Sequence, residues 1–155
     1  MTVTILVGKP GAGKSTYANE EFLERPVVVV NQDTLGSRKM CLKVMEKALK
    51  DNMDVIVDRT NINIKQRGHF IELAQKYKAE IHCVEFFSSN EKCIERIQKR
   101  KNHKTITEET PLDKVQEIVL KFSNDYEVPT FDEGFSRITT YCPDNFPSQG
   151  NRPGS

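Results

Sequence analysis

Apolar positions along this chain alternate between continuous strand-like runs and the three-and-four spacing of helices, through five turns of the pattern. That alternation predicts an α/β domain, a parallel sheet with helices on its faces. Strands are expected at Val3–Val7, Val27–Asn31, Val55–Asp58, Ile81–Phe87 and Phe135–Tyr141. Most are rich in Val, Ile and Phe, as strands buried on both faces should be. Helices fill the gaps: Lys14–Glu24, then Leu35–Lys50 with Met40, Val44, Ala48 and Leu49 at helical spacing, then a third after Asn63 that buries Phe70, Leu73, Ala74 and Tyr77. Asn90 is a suitable N-cap for Glu91–Lys101, and Thr110-Pro111 supplies a cap and a first-turn proline for Leu112–Phe122. No internal repeat is visible. From Cys142 to Ser155 the periodicity stops, with three prolines and two glycines, so residues 1–141 read as the domain and 142–155 as a tail or linker.

Between the first strand and the first helix stands Gly8-Lys9-Pro10-Gly11-Ala12-Gly13-Lys14-Ser15, a match to G-x-x-x-x-G-K-[ST] in the context that gives the motif meaning. Glycines let successive amides turn inward as an anion nest at the positive end of the helix. Gly8, Pro10, Gly11, Ala12, Gly13, Lys14, Ser15 and Thr16 are therefore expected to hold ATP. Lys14 reaches the β- and γ-phosphates and the Ser15 hydroxyl ligates Mg²⁺. An ordinary glycine turn is the plainer alternative, and the flanking strand and helix argue against it. The motif leaves open whether the γ-phosphate goes to water, a metabolite or a polymer.

Asp33 lies just beyond the second strand, at the sheet edge where open α/β folds bind ligands. Phosphoryl transfer to an alcohol wants a carboxylate there, to orient the hydroxyl and take its proton. The plainer reading makes Asp33 a helix cap. Asp58 closes the third strand, placed either to hold a Mg²⁺-bound water and anchor the acceptor loop or merely to end a strand in a turn. Arg59, Thr60 and Asn61 follow it. Along Glu91–Lys104 six cations, Lys92, Arg96, Lys99, Arg100, Lys101 and Lys104, face two acids. Arg96 and Arg100 share one helical face. Such a face can stabilise transferring phosphate oxygens and fold over the nucleotide as a lid, or it can be a solvated surface.

Composition narrows the class. Lys+Arg 23 against Asp+Glu 22 gives a net charge of +1, which excludes a generally basic nucleic-acid binder but allows a local basic groove. With 37% hydrophobic and 29% charged residues the chain reads as a soluble domain. No apolar run approaches a membrane span, and the N-terminus lacks a signal-peptide n-region. Cytoplasm or nucleus is the expected location. Cys41, Cys83, Cys93 and Cys142 form no C-x-x-C pair, so reduced buried thiols are expected and no structural metal.

Five segments taken together are more specific than any one: G-K-P-G-A-G-K-S-T, N-Q-D-T-L-G-S-R-K, V-D-R-T-N, R-I-Q-K-R and E-V-P-T-F-D-E-G-F. Over about residues 3–141 they resemble the kinase domain of the 5′-hydroxyl polynucleotide kinases, nearest to the polynucleotide kinase/phosphatase repair enzymes. The resemblance implies a P-loop kinase fold with a central parallel sheet of about five strands and a helical lid. It also implies ATP- and Mg²⁺-dependent transfer of the γ-phosphate to the 5′-hydroxyl ends of DNA or RNA. Under it Lys14 and Ser15 bind triphosphate and metal, Asp33 is the general base, Arg100 is the lid arginine with Arg96 toward the nucleotide, and Asp58 and Asn61 support the acceptor. Two positions depart from the family pattern. Gln32 stands where N-R-D has its arginine, and Arg59 stands where D-N-T-N has its amide, so Arg38, Lys39 or Arg59 is expected to supply the missing cation for the nucleic-acid backbone. No Asp-x-Asp-x-Thr phosphatase element is present in the chain, so a kinase alone is expected. The alternatives are a P-loop kinase of a small metabolite or nucleoside, and a nucleotide-gated binding module without turnover.

Overall fold

The sheet order β2-β3-β1-β4-β5-β6 follows from how the chain returns after each helix. The computed structural model describes residues 1–8, 13–86, 125–141 and 152–153. β1 (Thr2–Val7), β2 (Val27–Asn31), β3 (Asp54–Asp58), β4 (Glu80–Phe86) and β5 (Arg137–Tyr141) are parallel, and the two-residue β6 (Arg152–Pro153) pairs antiparallel with β5. The five-stranded parallel sheet is as expected from the hydrophobic alternation. The crossover from β1 to β2 passes β3 in one direction and the crossover from β2 back to β3 runs in the other. Because such crossovers are right-handed, their helices fall on opposite faces.

Alternation along the strands sorts the side chains. Val3, Ile5, Val7, Val55, Val57, Ile81, Cys83 and Ile138 turn to one face, and α3 (Arg38–Lys50) and α4 (Ile64–Lys76) cover it with Cys41, Met45, Ala48, Leu49, Phe70, Ile71 and Ala74. α1 (Lys14–Glu24) lies against β2 and β3. Cys41 and Cys83 are buried free thiols. Burial, followed by the nearby Glu85 carboxylate, pushes the Cys83 thiol well above its usual range. Among the described residues no helix is long and apolar enough to cross a membrane.

Three expectations need correction. The helix expected over Leu35–Lys50 is two helices, α2 (Gln32–Leu35) and α3. Gly36 takes a left-handed conformation (φ 88°), and its amide bonds back to the Gln32 carbonyl to close α2. Ser37 then starts α3, its hydroxyl accepting from the Met40 amide at 3.2 Å. Met40, expected on the apolar face with Val44, Ala48 and Leu49, is 41% exposed because it points off the stripe of Cys41, Met45, Ala48 and Leu49 that packs on the sheet. The last strand begins at Arg137 rather than Phe135: Phe135 is buried before it, and Ser136 donates to Ile81. Phe87 and the helices expected at Glu91–Lys101 and Leu112–Phe122, with the lid they would form, lie outside the described residues.

Candidate active site

The carboxyl ends of the parallel strands gather the chemistry. Register sets Leu6 of β1 beside Asp58 of β3, and Asp58 beside Asn31 of β2, so the three strand ends stand level. The loop after β1 leaves from Gly8, whose amide donates to the Thr60 carbonyl at 3.0 Å. It ends at Gly13, the N-cap of α1, with φ 105°, a left-handed turn that costs glycine nothing. The 11-residue α1 has no acidic residue in its first turn, so the positive end of its dipole is not neutralised there. Lys14, its first residue, is buried at 7% exposure. Thr16 is exposed. Pro10, Gly11 and Ala12 lie outside the described residues.

Ser15 faces back across the sheet end. Its hydroxyl donates to Asp58 Oδ2 at 3.0 Å, and Asn31 Nδ2 donates to the same oxygen at 2.8 Å. A strand-end aspartate engaged in this way, 6% exposed, joins the loop after β1 to the end of β2. A hydroxyl and a carboxylate side by side are hard oxygen donors of the kind Mg²⁺ takes together with substrate phosphates, so the residues present fit that ion.

Asp33 sits half-buried in the first turn of α2. Its plainer reading as a helix cap does not hold, because Asn31 Oδ1 caps α2 by accepting from Thr34 N at 3.2 Å, and Ser37 caps α3. Beyond it Arg38 and Lys39 open α3 and are exposed. Arg59 follows Asp58 and lays its guanidinium on the Phe70 ring, 5.5 Å from the centroid. Its Nε and Nη1 are buried and meet no hydrogen-bond partner among the described residues; His69 Nε2 is in the same condition. Burial lowers the Arg59 pKa from the usual arginine range, and Arg38 adds repulsion. A guanidinium does not lose its charge at neutral pH, so its two orphan donors call for an anion. Asn61, 1% exposed, adopts φ 48° and donates to the Leu6 carbonyl at 2.8 Å.

Asp33, Lys14, Ser15, Asp58, Arg59 and Asn61 thus share one edge of the sheet, while Arg96 and Arg100 lie outside the described residues. Sequence reasoning passed over Asn31, whose place opposite Asp58 needs the strand register, and His69. It also passed over Arg67, wholly buried on α4, and its partner Glu133. A signal for Arg67 existed: it stands three, four and seven residues before Phe70, Ile71 and Ala74, on the apolar stripe.

Comparison with known proteins agrees with this arrangement. Residues 3–124 match the model of a family described as an AAA domain. The chain is 31% identical over 137 residues to the bifunctional polynucleotide phosphatase/kinase of Schizosaccharomyces pombe, a match covering 88% of this chain and 32% of that protein. The chain therefore spans about a third of that relative's length. Among solved structures, a fungal RNA kinase superimposes with a TM-score of 0.63 at 16% identity, covering 88% of this chain and 72% of the other. A gluconokinase from Sinorhizobium meliloti 1021 does so with a TM-score of 0.59 at 17% identity, covering 96% and 86%. Kinases of an RNA and of a small metabolite share this fold, so the acceptor is decided by the site and not by the architecture. With its phosphate loop, its level strand-end carboxylate and the match over residues 3–124, the chain belongs to the AAA-domain family.

Proposed function

We propose that this protein transfers the γ-phosphate of ATP to the 5′-hydroxyl end of a polynucleotide. The nucleotide lies along the loop before α1, with Lys14 against its β- and γ-phosphates. Asp33 accepts the proton of the 5′-hydroxyl as its oxygen bonds to the γ-phosphorus; the bond to the β–γ bridging oxygen breaks, and ADP leaves. Arg100, carried over from the family pattern, supplies positive charge to the transferring oxygens. Ser15 and Asp58 would hold Mg²⁺, which when bound offsets the negative charge of the phosphates. Asn31 keeps the Asp58 carboxylate aimed at that position. The work is assigned to the nucleus or cytoplasm, where ATP and nucleic-acid ends meet.

The observation that carries the polynucleotide reading is Arg59. A neutral sugar or nucleoside brings no fixed anion to this edge, whereas a strand brings backbone phosphates. Two guanidinium nitrogens without a partner among the described residues, backed by Phe70 and flanked by Arg38, suit such a phosphate. The family relation to a polynucleotide phosphatase/kinase supports the same acceptor. The test is label transfer from γ-labelled ATP to 5′-hydroxyl oligonucleotides, compared with free nucleosides and sugars. Labelling confined to the small acceptors would replace this reading with that of a metabolite kinase, and ATP binding without ADP release would replace it with that of a binding module.

Arg59→Gln should raise the KM for an oligonucleotide by about tenfold or more, the worth of a charged hydrogen bond, while leaving the KM for ATP within about twofold. For single strands the dependence of log affinity on log salt should become shallower by about 0.7, one contact's share. Equal effects on ATP and strand would remove Arg59 from the acceptor side.

A further inference from the structure

The segment Glu127–Phe135 carries a motif to which the transfer step assigns no role, and the bonds it makes are concentrated on the acceptor loop. Arg67 is the centre. Its side chain is 0% exposed and every nitrogen has a partner: Nε to Glu133 Oε1 at 2.7 Å, Nη2 to Glu133 Oε2 at 3.1 Å, and Nη1 to the carbonyl of Asn61 at 2.9 Å. Glu133 ends a short 3-10 turn, Phe131–Glu133, and its Oε2 also takes the Thr130 amide at 2.9 Å. Around this pair, Glu127 N donates to the Ile62 carbonyl at 2.7 Å, Ile64 N donates to Glu127 Oε1 at 3.1 Å, and the Tyr126 hydroxyl donates to the buried carboxylate of Glu85. On its other side the loop is tied to the first residue of the phosphate loop, through Thr60 to Gly8, and to the end of β1, through Asn61 to Leu6.

A buried ion pair is poor evidence for stability, since the cost of stripping water from both charges offsets most of their attraction; its attested use is to specify one arrangement among several. Here the arrangement is a left-handed Asn61 between Asp58–Arg59 and α4. The geometry points to Arg67 and Glu133 as a positioning pair for phosphoryl transfer: the fork fixes the Asn61 carbonyl, and through it the spacing between the acceptor edge and the first residue of the phosphate loop. This role rests on the proposed kinase reading, because it acts on the geometry of that transfer. Neither residue touches the reacting atoms. Their loss should therefore lower kcat, because misplacement of about 1 Å in a transfer site costs up to about 10²-fold. ATP binding should fall much less than the rate, because the fork bonds Glu133 and the Asn61 carbonyl and does not touch Lys14 or the first turn of α1.

The test compares wild type, the double variant Arg67→Met/Glu133→Leu, and Arg67→Lys, which keeps the charge but cannot serve Glu133 and the Asn61 carbonyl together. Steady-state kinetics with a 5′-hydroxyl oligonucleotide is paired with hydrogen exchange at the Gly8 amide and across residues 58–62. The double variant should melt within about 5 °C of wild type, lose about 10- to 100-fold in kcat with the ATP Kd within about threefold, and exchange faster at Gly8. Arg67→Lys should fall between the two on both readouts. Wild-type kcat and exchange in the double variant would overturn the assignment, as would a rate loss matched by an equal loss of ATP affinity. If the double variant does not fold, Arg67→Lys decides by the same measures. If wild type labels no 5′-hydroxyl strand, the polynucleotide reading fails by itself, while exchange at Gly8 still decides whether the pair braces the loop.

Discussion

Lys14→Ala should abolish phosphoryl transfer, reducing it by at least about 10³-fold, and should weaken ATP binding together with it. The side chain leaves the first turn of α1 already buried, at the positive end of the helix dipole and next to the glycine that closes the loop. An ammonium held there acts in a poorly solvated setting, where its attraction for phosphate oxygens is several times what it would be in water. It also costs no reorganisation when charge shifts toward the leaving ADP. Loss in both binding and rate is expected because the β- and γ-phosphates are bound before and during transfer. Isothermal titration with ATP and initial rates of oligonucleotide labelling check the two separately. Transfer within a few-fold of wild type would remove the loop from the catalytic account.

Asp33→Asn should leave ATP binding nearly intact and lower turnover by roughly 10²- to 10⁴-fold, the contribution of a positioned base. The structure sharpens this expectation by taking away the competing role. Asn31 and Ser37 cap the helices on either side of Asp33, so its carboxylate is not needed to begin either one. The amide keeps the shape and hydrogen-bonding reach of the acid but accepts no proton at neutral pH. Stability should change little, because Asp33 is half-exposed. Rates and ATP affinities measured on the same preparation distinguish the outcomes. Parallel loss of both would show that Asp33 serves the nucleotide or the fold.

How much of this was legible in the sequence varies with the range of the interaction. The strands were legible because burial on both faces demands runs such as Val55–Val57, and α1 was legible to the residue because a phosphate loop fixes where its helix starts. The break at Gly36–Ser37 was present as a C-terminal glycine followed by a serine cap, yet the apolar spacing from Leu35 onward ran through it and masked it. Asp58 could be placed at a strand end, but not its bonds to Ser15 and Asn31. Those bonds depend on β3 lying between β1 and β2, a matter of sheet order that local pattern does not encode. Arg59 was visible as a departure from the family pattern, a cation in place of an amide. That two of its nitrogens are buried over Phe70 without partners among the described residues is visible only in the packing. Arg67 and Glu133, 66 residues apart, are the extreme case: the apolar stripe of α4 hints that Arg67 is buried, but only the fold supplies Glu133 as its partner.

The central claim is that the acceptor is a strand's 5′-hydroxyl, and a matched pair of oligonucleotides tests it most directly. One carries a 5′-hydroxyl and the other a 5′-phosphate, identical in sequence and each offered with γ-labelled ATP and Mg²⁺. The account predicts that only the first is labelled, with one phosphate per strand recovered on the 5′-terminal nucleotide after digestion. Label on both strands, on an internal or 3′ position, or on neither would contradict it.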